Sequence, residues 1–110
     1  MADELFDTLI LGIRGAASLS SRQKGDVESH LEGIAREFAS LRAANPQAAE
    51  SIANFLTCAL YESSRRDRSA PLAAHARKGM LIAFRAVEET HPALASRAYA
   101  FGDVLSAIGV

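Results

Sequence analysis

The sequence predicts an all-α protein, an antiparallel helical bundle of four to five helices. Apolar residues recur at spacings of three and four in every long segment, the period of a helix face. Cap-and-proline pairs such as Asn45-Pro46 mark helix starts, and short polar breaks separate the periodic runs. Alanine, the strongest helix former, is abundant.

Helix 1 is expected from Ala2 to Ala17. Leu5, Phe6, Leu9, Ile10 and Ile13 give it a broad apolar face, and Asp3, Glu4 and Asp7 sit where the helix dipole favours negative charge. Gly12 and Gly15 weaken its second half or let another helix approach closely. Ser18 to Gly25 reads as a polar break. Asp26 is the expected N-cap of helix 2, which runs to Ala44 with a seam of Val27, Leu31, Ile34, Phe38 and Leu41. His30 lies off that seam and reads as a rim residue.

Asn45 as N-cap and Pro46 at the first helical position start helix 3, which runs to about Ser64. Its expected core face is Ile52, Phe55, Leu56, Ala59 and Leu60, with Cys58 as a small buried hydrophobe beside it. Ser69-Ala70-Pro71 opens helix 4, expected through Glu89. Leu72, Ala76, Met80, Ala83 and Val87 form its core stripe. His75, Gly79, Ile82 and Ala86 form a second strip to one side, so this helix should have more than one packing partner. Helix 5 is expected from Pro92 to Ile108, with Leu94, Ala98, Phe101, Leu105 and Ile108 inward and Gly109 as C-cap.

The bulk numbers exclude several classes. A length of 110 residues fits one domain with a real core. A net charge of −1 carries no global argument for nucleic acid or a membrane surface. A single cysteine allows no internal disulfide. No apolar run approaches the ~18 residues of a membrane span, and an acidic N-terminus is unlike a secretory signal, so a cytoplasmic protein is the expectation. No cofactor motif is present, neither a glycine-rich phosphate loop nor a His-Glu-x-x-His pair. Glu88-x-x-His91 matches one half of a di-iron element, but its companion carboxylates are missing, so no metal is expected.

Two groups of residues suggest chemistry. Arg65, Arg66 and Arg68, diluted by Asp67, are followed by Arg77 and Lys78; together they could contact an anion or phosphate. They lack interleaved aromatics for base stacking, so nucleic acid is a poor fit. The second group is His75-Ala76-Arg77-Lys78-Gly79. It resembles the His-x-x-Lys-Gly signature of histidine phosphotransfer domains. The resemblance implies that His75 accepts a phosphoryl group from a receiver domain. Lys78 would then balance its charge, and Gly79 would leave room for the incoming domain. The chain departs from that family where the apolar run Met80-Leu81-Ile82-Ala83-Phe84 follows Lys-Gly, and in having one helix rather than two after the histidine.

The reading that follows is a regulatory or adaptor bundle acting by protein–protein interaction, as a homo-oligomer or through a groove. Ile82, Leu81 and the C-terminal helix carry more apolar surface than one core stripe per helix needs. Phosphotransfer through His75 is the alternative.

Overall fold

The computed structural model describes residues 4–108, and over them the chain is all-helical, as five helices and their links. They are α1 (Glu4–Arg14), α2 (Ser21–Ala44), α3 (Pro46–Ser64), α4 (Ala70–Arg85) and α5 (Pro92–Ile108). Helices α2 to α5 form the expected antiparallel bundle as a closed ring: α2 packs on α3, α3 on α4, α4 on α5, and α5 back on α2. The short α1 lies across α2 and α3. Ala2, Asp3 and Gly109, each given a role above, lie outside the described residues.

Local chemistry sets the boundaries. Helix α2 starts at Ser21, five residues before the expected Asp26 cap, because Ser20 and Gln23 form a reciprocal capping box. The Gln23 N–H donates to Ser20 Oγ at 3.1 Å, and the Ser20 N–H donates to Gln23 Oε1 at 2.9 Å. Gly25 is then simply helical. Asn45 ends one helix and starts the next. Its N–H donates to the Leu41 carbonyl at 2.7 Å, and its Oδ1 accepts from the Ala48 N–H at 3.1 Å. Ser69 caps α4 through the Leu72 N–H. Helix α4 stops at Arg85, not Glu89: the Val87 and Glu88 N–H groups bond three residues back, to Phe84 and Arg85, and the chain winds into a tight turn before Pro92.

The core is continuous. Phe38, Phe84 and Phe101 are fully buried with Leu31, Ile34, Leu41, Ile52, Leu56, Met80 and Leu94. Phe6 carries α1 into it, edge-on to Phe38 with ring centroids 5.3 Å apart. Gly12 serves no close approach, since a Cβ there would meet nothing within 4 Å. The seam of α2 and the inward face of α5 are as the periodicity predicts. Two faces differ in part from the expected ones. On α4 Ala76 and Met80 are buried as expected, as is Val87 just past the helix end, and Ala73 and Phe84 join them, while Leu72 points outward at 51 % exposed. On α3 the inward residues are Ala49, Ile52, Leu56, Ala59 and Leu60, while Phe55 and Cys58 are exposed.

Candidate functional site

The residues displaced from the core meet at one place. Helix α3 presents Ala48, Ser51, Phe55, Cys58 and Glu62 at spacings of 3, 4, 3 and 4. Helix α4 presents Leu72, His75, Gly79 and Ile82, and its C-cap Ala86 follows, at the same spacings. Each helix therefore carries two seams, one turned into the core and one turned outward, and the two outward seams face a shared groove of about 660 Å³. Phe55, Leu72 and Ile82 are 45 %, 51 % and 54 % exposed along it. Small residues between them make the groove concave, and the Phe55 ring lies directly over Gly79.

The ionisable side chains that line the groove are few. Glu62 stands on α3, and His75 and Lys78 stand on α4, both exposed. Lys78 follows His75 by about one turn, as the phosphotransfer resemblance requires. Gly79 is occupied from within the chain: Phe55 takes the space that the resemblance reserves for an incoming domain. Cys58, expected in the core, opens onto the groove as a free thiol.

The structure divides the basic cluster. Arg65 donates to Glu62 and to Asp67, each at 3.2 Å, and its guanidinium lies 5.3 Å from the Tyr61 ring centroid. Hydrogen bonding to Glu62, then to Asp67, pushes its pKa further up. Arg68 closes the end of α3 by donating to the Ser63 carbonyl at 3.2 Å. Arg66 is exposed. Arg77 lies away from Arg65, facing α5 beside Arg68. The five cations thus form no single patch.

Glu88 and His91 are engaged separately. Glu88 accepts from the Tyr99 hydroxyl, which raises the Tyr99 pKa, and His91 Nδ1 pairs with the Thr90 hydroxyl at 3.0 Å. Among the described residues no cluster of three or more His, Cys, Asp or Glu side chains could hold a metal. His30, half-buried, stacks on Phe101 and pairs with the Asp26 carbonyl at 2.9 Å, the rim role its position predicts.

Phe55, Cys58 and Leu72 are the groove residues that sequence reasoning set elsewhere. Their signal was the second set of 3-and-4 spacings on α3, which is as regular as the core seam beside it. The chain matches no protein-family model, no curated protein and no solved structure. Among the described residues no helix is long and apolar enough to cross a membrane.

Proposed function

We propose that this protein is a non-enzymatic interaction module whose α3/α4 groove receives the apolar face of a helix from another polypeptide, a second copy of the chain included. The observation that carries the reading is the paired outward seams. Two antiparallel helices whose outward residues repeat at 3-and-4 spacing, with Phe55, Leu72 and Ile82 as the large apolar members, form a surface into which a third helix packs its side chains. Phe55, Leu72 and Ile82 are each about half-exposed, so covering them contributes roughly 1 kcal/mol apiece. Glu62, His75 and Lys78 stand at the edge, where charge sets register more than affinity. A reducing cytoplasm suits the free, exposed Cys58.

The chain contains no tryptophan, so a peptide that carries one reports its own burial. Amphipathic helical peptides with tryptophan at a seam position should show blue-shifted, saturable emission with the native protein and not with Ile82→Asn. A panel in which no peptide distinguishes the two proteins would reject the reading. Sedimentation over a wide concentration range tells whether a second copy already fills the groove.

Phosphotransfer stands second, on the observation that His75 and Lys78 are both exposed on the groove wall. Incubation with phosphoramidate and Mg²⁺ tests it by intact mass. An acid-labile phosphoryl gain absent in His75→Gln would move it to first place, and no gain would remove it.

A further inference from the structure

A second, smaller recess lies where the last turn of α3, the first turns of α4 and the end of α5 come together. It measures about 240 Å³ and shares no lining residue with the α3/α4 groove. Among the described residues, Arg68 and Arg77 are the only lining residues that can carry charge, and no carboxylate of those residues lines the recess. Ser63 lines it from α3. That serine is 2 % exposed, and its hydroxyl has no hydrogen-bond partner among the described residues.

Each of these features is unfavourable alone. Two guanidinium groups on one small recess repel each other. A buried hydroxyl without a partner loses its bonds to water and gains nothing in return. The recess also abuts the first turns of α4, the end of a 16-residue helix where the backbone dipole is positive. A water molecule could pair with the Ser63 hydroxyl, but it would leave the two guanidinium groups unbalanced. One anion answers all three.

We infer that this recess is an anion site for a phosphate group, held by Arg68, Arg77 and the Ser63 hydroxyl at the start of α4. Residues able to donate line the recess from α3, from the α3–α4 link and from α4, and a guanidinium fork matches the oxygens of a phosphate group. Arg68 already donates through Nη1 to the Ser63 carbonyl at 3.2 Å, which ties its guanidinium to the end of α3. The volume admits one phosphate group. Ser106 of α5 adds a hydroxyl on the far wall. Of the basic residues that the sequence marks, Arg68 and Arg77 belong to this site. Arg65 is paired with Glu62 and Asp67, and Arg66 does not line the recess.

The test is a titration of the native protein with inorganic phosphate and, in a parallel arm, with glycerol phosphate. Sodium chloride at matched ionic strength is the control, and amide NMR shifts and the thermal midpoint are the readouts. Phosphate should shift the amides of Ser63, Ala73 and Arg77 saturably and raise the midpoint beyond the chloride control. Tighter binding of the ester than of the free ion would assign the site to an organic phosphate, and the reverse to the free ion. Arg77→Gln should weaken binding at least about tenfold. Ser63→Ala should weaken it too, yet leave the midpoint in chloride unchanged or higher, because it removes an unpaired buried hydroxyl. That combination separates a ligand contact from a structural one. Equal effects of phosphate and chloride, or phosphate shifts that survive Arg77→Gln at full strength, would overturn the assignment.

Discussion

The ring of Phe55 rests on the backbone of Gly79: a Cβ placed at Gly79 would sit 3.0 Å from both Cδ1 and Cε1 of that ring. This contact joins the two walls of the groove at its middle and explains Gly79 without any visiting domain. It also fixes how deep an incoming side chain can reach.

Replacing Gly79 by alanine sets helix propensity against that contact. Alanine favours the helix by ~1 kcal/mol, and the half-exposed Phe55 ring is able to swing toward solvent. Gly79→Ala should therefore be neutral to stabilising in urea unfolding, by up to ~1 kcal/mol, while it weakens peptide binding in the groove. Gly102→Ala is the contrast. Gly102 is buried, and the new Cβ would meet Leu81 Cδ2 at 3.1 Å and Cδ1 at 3.4 Å between α4 and α5. Alanine gains the same ~1 kcal/mol of helix propensity here, but Leu81 is packed against the core and overpacking costs ~1–3 kcal/mol, so this variant should be neutral to destabilising, by up to ~2 kcal/mol.

Binding and stability should separate along α4. Ile82 is 54 % exposed, so Ile82→Asn should change the unfolding free energy by no more than ~0.5 kcal/mol while abolishing groove binding. Met80, two residues away and fully buried, behaves oppositely: Met80→Ala should cost ~2–5 kcal/mol, read from the shift in the urea midpoint.

The caps predict losses of a different kind. Ser20→Ala removes one half of the capping box and should cost ~1 kcal/mol. Amide exchange in the first turn of α2 should speed up selectively. Asn45→Ala removes the side-chain acceptor that starts α3, and exchange at Ala48 should report it.

The sequence carried the antiparallel bundle of four to five helices and every start marked by Asn45-Pro46, Ser69 or Pro92, because caps and proline act within a few residues and need no tertiary context. The ring in which the helices pack did not show there. It carried α2 less well. Three serines and Gly25 looked like a loop, although Ser20-x-x-Gln23 is itself a start signal, and tertiary packing of the buried Leu19 and Val27 holds the glycine inside a helix. The groove was half-legible. Ile82 and His75 stood out as a surplus strip on α4, but Phe55 and Leu72 were assigned inward. When a helix carries two adjacent apolar seams, periodicity alone does not say which one faces the core. Neighbouring helices decide that, and on α4 they kept Ala76 and Met80 of the expected stripe, added Ala73 and Phe84, and left Leu72 outside. The phosphate recess was legible only as basic residues, since the unpaired Ser63 hydroxyl appears once the helix ends converge.

Electrostatics between α1 and α2 should give a pH signature. Arg14 donates through Nε to Glu28 Oε2 at 3.3 Å, and this hydrogen bonding lowers the Glu28 pKa. A carboxyl whose folded pKa lies below its unfolded one adds stability above the unfolded value, and that stability fades as pH falls through the folded value. The contribution should therefore be present at neutral pH and vanish in the acid range below ~4.3, the ordinary glutamate value. In Glu28→Gln that part of the acid-limb slope should be missing from the thermal midpoint. Because the pair is exposed, added salt should also shrink its effect.

The α3/α4 groove as the working surface is tested most directly by methyl NMR on isoleucine-labelled protein as an amphipathic helical peptide is added. Ile82 lies in the groove, Ile34 in the core, and Ile10 half-buried on α1. The account predicts that the Ile82 methyl signals move saturably while those of Ile34 and Ile10 stay in place. Peptide binding that moves Ile10 and leaves Ile82 unchanged, or no binding by any peptide with seam spacing, would contradict it.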